Sequence, residues 1–202
     1  IRDRSPSRGL GDVYKRQVSG LRDSSGRRQE AAHRTGQSAL MRVVVLGLGN
    51  ILLRDEGVGV RVVEALSERY GLPPEVEVVD GGTAGMELLN VIAGCDHLLI
   101  CDAVKEDAPP GTVIKLIDAE VPAFFQTRYS PHQLGLADVL ATLTLTDEAP
   151  GHITLIGVVP LDMELGIELS PEVRAVVGQA VECVATVLCG LDCLIAPRVP
   201  IA

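Results

Sequence analysis

Continuous apolar runs that end in glycine or aspartate recur along the chain and predict the strands of a parallel sheet. The run MRVVVLGLGN starts at Met41, and its lack of polar alternation is typical of a strand buried on both faces, so we place it as the central first strand. The runs VEVVDGG, residues 76–82, and HLLICDAV, residues 97–104, predict the second and third strands. Between them, GMELLNVIAG predicts a short helix that closes on Gly94.

Three other segments repeat apolar residues at helical spacing. The first predicts a helix over residues 58–70. The second and third follow Ser130-Pro131 and Ser170-Pro171, where the serine is expected to be an N-cap and the proline the first helical residue. The third helix is expected to run as far as Gly190. The apolar stripes are Val58, Val62, Ala65 and Leu66 in the first helix, Leu136, Val139, Leu140 and Leu143 in the second, and Val173, Val176, Val177, Ala180, Val181, Val184, Val187 and Leu188 in the third.

The connection that follows the third strand determines how the sheet continues. Residues 102–112 include Pro109, Pro110 and Gly111 but no segment of helix length, so the next run, TVIKLID, cannot be reached by a parallel crossover and is predicted to be an antiparallel edge strand. HITLIGVVP, residues 152–160, is the last predicted strand. We therefore expect an α/β fold of three layers, a doubly wound sheet of about five mostly parallel strands with helices on both faces.

Residues 1–40 differ from the rest of the chain. They hold nine Lys and Arg against four Asp and Glu, and they show neither helical nor strand periodicity. The chain starts with Ile1, whereas Met41 stands directly before the first strand. We interpret residues 1–40 as a disordered leader and favour a non-native origin for it, with a basic docking arm as the alternative. Residues 41–202 are expected to form a single domain.

Composition excludes several classes of function for residues 41–202. Nine Lys and Arg against twenty-three Asp and Glu give this part a charge of −14, and the chain has no Trp and 2% aromatic residues, which argues against nucleic-acid binding. Glu182 and Asp192 interrupt the most apolar segment, so we expect no membrane insertion. Five cysteines without a CxxC pair, and the absence of a signal-peptide pattern, favour a reduced, cytoplasmic protein.

Three carboxylates follow or end the predicted parallel strands. Glu56 comes after the first strand, Asp80 ends the second and Asp102 ends the third, so all three should emerge at the carboxyl edge, where open α/β sheets bind ligands. His132 should lie in the first turn of a helix, whose dipole favours a neutral imidazole that can ligate a metal. Two carboxylates and one histidine would form an incomplete ligand set for a divalent ion.

Each of these residues also has a purely structural interpretation. Asp80 could form the turn at Gly-Gly, Asp102 could cap a neighbouring turn, Glu56 could offset the dipole of the following helix, and His132 could be an ordinary cap-region residue. Spacing alone leaves these alternatives open.

Other chemistries fit the sequence less well. The GLGN turn suggests dinucleotide binding, but Leu52 replaces the third glycine of the fingerprint, and Asp55 and Glu56 stand where a phosphate needs positive charge. Ser130 lacks the GxSxG surroundings of a hydrolase nucleophile. Cys101 should point away from Asp102 into the core, and Cys183, Cys189 and Cys193 are also expected to be packing residues.

Four motifs in order carry a family resemblance: GLGNILLRDEGVGVRVVEAL, DGGTAGMEL, CDAV and SPHQLGLADVLATL. Together they closely resemble the maturation endopeptidases of [NiFe] hydrogenases, in the branch that serves uptake hydrogenases. The resemblance covers about residues 41–195, and residues 1–40 have no counterpart in it.

The resemblance implies a protease that removes the C-terminal extension of the hydrogenase large-subunit precursor after nickel insertion. Its metal-contacting and catalytic residues would be Glu56, Asp102 and His132, and the segment Asp80, Gly81 and Gly82 would position the substrate. The nickel would be held by the precursor, although Zn or Cd could occupy the site in vitro. We expect water as the nucleophile, with Glu56 or Asp102 as the base. We also expect a monomer. A non-catalytic nickel-site chaperone is the alternative, and a nucleotide-binding oxidoreductase is a weaker third hypothesis.

Overall fold

Five strands form one mixed sheet in the computed structural model, which describes residues 41–127 and 131–198, with side chains except at 126–127 and 131–134. The described strands are β1 (Val43–Leu48), β2 (Tyr70–Gly71), β3 (Val76–Gly82), β4 (His97–Ala103), β5 (Val113–Ile117), β6 (His152–Val158) and β7 (Ala196–Pro197). The main sheet has the order β3-β1-β4-β6-β5, and β2 and β7 form a separate antiparallel pair. Within the main sheet only β5 runs antiparallel, paired with β6 at the edge.

This topology confirms the fold class and the antiparallel edge strand. One detail of the prediction is wrong, because the middle strand is β4 rather than β1. β1 lies inside the sheet between β3 and β4, which explains its continuous apolar run. The sheet then extends by β6 and β5 on the side of β4 and by β3 alone on the other side.

Helices cover both faces of the sheet. They are α1 (Val58–Arg69), α2 (Leu89–Ile92), α3 (Glu120–Thr127), α4 (Pro131–Leu145) and α5 (Pro171–Gly190), with 3-10 turns at Arg54–Gly57 and Met86–Leu88. α1 and α5 pack on one face, and α2, α3 and α4 pack on the other. The single short helix expected before Gly94 is instead a 3-10 turn followed by one α turn. α3 was not predicted, because Pro122 reads as a helix breaker although it lies in the first turn, where proline is tolerated.

Alternate residues of β1 and β4 contribute to two separate hydrophobic clusters. Val45 and Cys101 pack beneath α1 and α5, whereas Leu46 and Ile100 pack beneath α2 and α4. The prediction that Cys101 is a core residue is confirmed. Burial raises the pKa of its thiol to about 12. Asp102 follows Cys101 in the strand and therefore points to the opposite face.

The apolar stripes of the three longer helices also lie where they were expected. Every predicted stripe residue is buried or packs half-buried against one of the two clusters. The Ser170 side chain caps α5 by accepting a hydrogen bond from the Val173 N–H. α5 is long and apolar enough to cross a membrane by length and composition, but its stripe packs on the sheet and on α1.

The late cysteines follow the expectation only in part. Cys193 is buried and Cys183 is half-buried against the cluster below α5, but Cys189 is exposed. Cys189 lies next to Leu188, which takes the inward position in the last turn of the helix. All five cysteines are free thiols.

Candidate functional site

The carboxyl ends of β1, β3 and β4 lie at one edge of the sheet. Gly47 near the end of β1 pairs with Asp80 of β3 on one side and with Cys101 of β4 on the other. Asp80 and Asp102 therefore lie on either side of the end of β1. The chain leaving β1 turns back over this edge and forms the 3-10 turn that carries Glu56.

Two glycines allow this turn to lie directly on the strand ends. Gly49 has a φ of +116°, and a Cβ at that position would collide with the carbonyl oxygen of Glu56. Gly59 lies in the first turn of α1, and a Cβ there would collide with the carbonyl oxygens of Cys101 and Leu48. Because Gly59 is three residues from Glu56 and touches the residue before Asp102, the backbone brings the turn that carries Glu56 close to the end of β4, where Asp102 lies.

Glu56 and Asp102 are both buried, with exposed fractions of 6% and 0%. Burial of ionised carboxylates costs free energy unless a cation or hydrogen bonds offset it. A divalent ion at this edge would stabilise both carboxylates, so the pair suits the chemistry of a metal site.

Asp80 differs from this pair, since its side chain is exposed. Its Oδ1 accepts a hydrogen bond from the Gly82 N–H at 3.0 Å. This contact is the one expected of a turn-forming aspartate. Its position at the edge leaves the carboxylate open to a bound partner.

α4 begins at Pro131, as predicted, but the side chain of His132 and all of Ser130 lie outside the described residues. The next turn of α4 is described. A Cβ on Gly135 would lie 3.2 Å from the Cα of Gly85, in the loop that follows β3. The backbone therefore brings the first turn of α4 to the same edge of the sheet.

The complete ligand set of Glu56, Asp102 and His132 remains a prediction. Among the side chains that the structure describes, no three His, Cys, Asp or Glu groups lie close enough to hold a metal ion. The structure describes the two carboxylates and the backbone of the helix turn that contains His132.

Asp55 has a role that sequence reasoning missed. It is fully buried, and its carboxylate accepts hydrogen bonds from the Leu161 N–H, the Asp162 N–H, the Ser170 N–H and the Ser170 hydroxyl at 2.7–3.0 Å. Burial by itself would raise the pKa of Asp55, but these four hydrogen bonds outweigh it and hold the pKa below its ordinary value. Asp55 thus ties the turn that carries Glu56 to the N-cap of α5.

The loop between β6 and α5 is fastened to the same turn at a second point. Gly166 donates its N–H to the Leu52 carbonyl and accepts from the Arg54 N–H, both at 2.9 Å. Arg54 adopts a φ of +47°, in the left-handed region that is unusual for a non-glycine residue, and its guanidinium pairs with Asp162 at 3.2 Å. The two segments therefore form one surface beside the carboxylate pair.

Comparison with known proteins identifies close relatives. A model of the hydrogenase maturation protease family, HycI, matches residues 60–187. The chain is 56% identical over 150 residues to the hydrogenase 2 maturation protease of Escherichia coli, a match that covers 73% of this chain and 91% of that protein. It is 40% identical over 149 residues to the hydrogenase expression/formation protein HupD of Bradyrhizobium diazoefficiens, covering 73% of this chain and 78% of that protein.

Solved structures give the same result. The hydrogenase maturating endopeptidase HybD of Escherichia coli superposes with a TM-score of 0.76 at 53% identity, covering 78% of this chain and 98% of that one. The [NiFe] hydrogenase maturation protease HybD of Thermococcus kodakarensis superposes with a TM-score of 0.62 at 33% identity, covering 73% of this chain and 99% of that one. These matches confirm the resemblance drawn from the four sequence motifs.

Proposed function

The chain belongs to the hydrogenase maturation protease family, and we propose that it removes the C-terminal extension of a [NiFe] hydrogenase large-subunit precursor. The names of its relatives support this activity, because they describe maturation proteases and endopeptidases of hydrogenases. Cleavage follows nickel insertion in this proposal, and the precursor holds the nickel.

The observation that carries the proposal is the burial of Glu56 and Asp102 at one edge of the sheet. Two buried carboxylates at one edge of the sheet gain stability only from interactions that offset their charge. A site that meets a cation during its working cycle does gain, because the cation attracts both charges. The buried pair therefore supports a function in which a metal ion arrives with the substrate.

His132 supplies the third contact in this proposal, from the first turn of α4. Two carboxylate oxygens and one imidazole nitrogen, without a thiolate, form an incomplete shell for a borderline ion such as nickel. The ion must bring its remaining ligands from the precursor. A precursor without nickel then lacks the group that the site recognises, which would make metal insertion a condition for cleavage.

The reaction is hydrolysis of one peptide bond. Nickel held by the substrate would polarise the scissile carbonyl or the attacking water. Glu56 or Asp102 takes the proton from the water as its oxygen attacks the carbonyl carbon, and the same proton passes to the leaving nitrogen when the C–N bond breaks. The products are a mature subunit with a new carboxylate and a released peptide with a new amine.

The rest of the site positions the precursor. Asp80, Gly81 and Gly82 line the edge beside the carboxylate pair, and we assign substrate positioning to them. Asp80 is exposed there and available to peptide N–H groups. The protein acts on this partner as a cytoplasmic monomer in our proposal, without membrane insertion and without nucleic acid.

Site variants test the proposal. We expect Glu56→Gln, Asp102→Asn and His132→Ala each to reduce cleavage of nickel-loaded precursor by 100-fold or more, as judged by the mass of the precursor after incubation with the protease. Glu68→Gln, an exposed glutamate on α1, is the matched control and should cleave as the wild type does. Wild-type rates in all three site variants would refute the assignment.

The nickel-site chaperone is the competing function and uses the same three side chains. It predicts that the wild-type protein binds the nickel-loaded precursor and leaves its mass unchanged. The protease hypothesis predicts that the extension is lost. The alternative has no separate support in the structure, whereas the relatives are named as proteases.

A further inference from the structure

An exposed apolar strip borders the turn that carries Glu56. Its members lie in two segments, the chain after β1 and the loop between β6 and α5, and each exposes 39–82% of its surface. They are Ile51, Leu52, Leu161, Met163, Leu165 and Ile167. Contiguous exposed apolar side chains are typical of binding sites in soluble proteins.

Apolar and polar residues alternate in the loop segment, but the apolar side chains face solvent rather than the core. From residue 161 to residue 167, apolar residues take the odd positions, which in a half-buried strand would face the core. Here two of the even positions, Asp162 and Gly166, are half-buried against the segment after β1, whereas Glu164 is exposed. Asp162 pairs with Arg54, and Gly166 pairs with Leu53 in a short parallel bridge. The apolar side chains are thereby held toward solvent.

The strip is also fixed in place before any partner arrives. Asp55 accepts hydrogen bonds from residues at both ends of the loop, Leu161 and Ser170. Gly166 in the middle is bonded on both sides to the segment after β1. A surface that is already ordered loses little conformational entropy on binding, which favours affinity.

We propose that this strip docks an apolar segment of the hydrogenase large-subunit precursor next to the bond that is cut. The inference rests on the proposed function and adds the surface through which the substrate is held. Leu52 is four residues from Glu56, so the strip lies next to the turn that carries this carboxylate.

Charge supports an apolar partner rather than a basic one. Residues 41–202 carry nine Lys and Arg against twenty-three Asp and Glu, yet two of the three acidic side chains between residues 161 and 168 form ion pairs with arginine. Asp162 pairs with Arg54, and Glu168 pairs with Arg174 at 2.6 Å. These ion pairs reduce the negative charge next to the strip, which suits the burial of apolar side chains.

A pair of double variants tests the docking surface. The test variant is Leu165→Gln with Ile167→Gln. The control is Leu145→Gln with Leu194→Gln. These two leucines are 86% and 85% exposed, and they lie at the end of α4 and in the segment that follows α5. Cleavage is measured against the concentration of nickel-loaded precursor, and affinity is measured by binding of the precursor to each variant in the Glu56→Gln background. Urea denaturation is used to check that both double variants are folded.

We expect the test variant to need at least about tenfold more precursor for half-maximal cleavage and to bind it correspondingly more weakly, with the rate at saturation unchanged. The control variant should stay within about twofold of the wild type. Equal half-saturation and equal affinity in test and control variants would overturn the docking surface. A concentration-dependent dimer that the test variant abolishes would also overturn it, in favour of a second copy of this chain.

The two proposals fail in distinguishable ways. A wild-type protein that cleaves, combined with a test variant that binds and cleaves identically, rejects the strip and leaves the protease function intact. A wild-type protein that binds precursor through the strip and never shortens it rejects the proposed function and keeps the docking surface.

Discussion

Replacement of Asp55 by asparagine should destabilise the fold by about 3 kcal/mol, because asparagine offers one acceptor oxygen instead of two. In the better orientation this oxygen replaces Oδ2 and still accepts from the Leu161 N–H, the Asp162 N–H and the Ser170 hydroxyl. The amide nitrogen then faces the buried Ser170 N–H, which loses its acceptor at a cost of about 1–3 kcal/mol. The three remaining hydrogen bonds lose their charge assistance, at about 1 kcal/mol or less each.

Urea denaturation followed by far-UV circular dichroism measures this loss, and the absence of Trp makes the amide signal the suitable probe. Asp80→Asn is the matched control, since Asp80 is an exposed aspartate that accepts one hydrogen bond from the Gly82 N–H. The control should change the free energy of unfolding by less than about 1 kcal/mol. An Asp55→Asn variant that is equally close to the wild type would refute the conclusion that this carboxylate ties the turn to α5.

Three further predictions concern packing and ionisation. Gly59→Ala should lose about 1–3 kcal/mol of stability and reduce precursor cleavage, because its Cβ meets backbone oxygens of β1 and β4. Gly190 has open space around it, so Gly190→Ala should change neither stability nor cleavage in the same denaturation and cleavage assays. Iodoacetamide at pH 8 should label the exposed Cys189 and leave Cys101 unmodified in the native protein, since burial raises the pKa of the Cys101 thiol to about 12. Peptide mass mapping measures the labelling of each cysteine, and equal labelling of the two would contradict the prediction. Because the pKa of Asp55 lies below its ordinary value of 3.8, its stabilising effect should be complete above about pH 4 and decline as pH falls through the lowered pKa. The difference in the free energy of unfolding between wild type and Asp55→Asn should therefore narrow between pH 7 and pH 3. A constant difference would be inconsistent with this ionisation.

The inner strands β1 and β4 could be predicted because every residue in them is buried. Such strands consist of unbroken apolar runs, and the proline-rich link before β5 forces the antiparallel edge. The pair of β2 and β7 escaped prediction, since two-residue strands far apart in the chain leave no periodic pattern. α3 escaped for a local reason, because Pro122 resembles a break when it occupies the first turn.

The candidate site was accessible to the same reasoning only in part. The parallel register places Asp102 at the carboxyl edge, and Glu56 follows β1 closely enough to return to it. Asp55 was missed because its hydrogen-bond partners lie 106–115 residues away, a distance that no local motif records. The loop part of the apolar strip, residues 161–167, was missed because alternation predicts a strand with one apolar and one polar face but not which face is exposed to solvent.

The central claim is that a metal ion held by the substrate permits cleavage. The most direct test incubates the wild-type protein with a nickel-loaded large-subunit precursor and, separately, with the same precursor free of nickel, and measures the C-terminal mass of each by mass spectrometry. The account predicts loss of the extension from the nickel-loaded precursor and an intact nickel-free precursor. Equal shortening of both forms would contradict it, because cleavage would then not depend on the ion that the proposal assigns to the carboxylate pair.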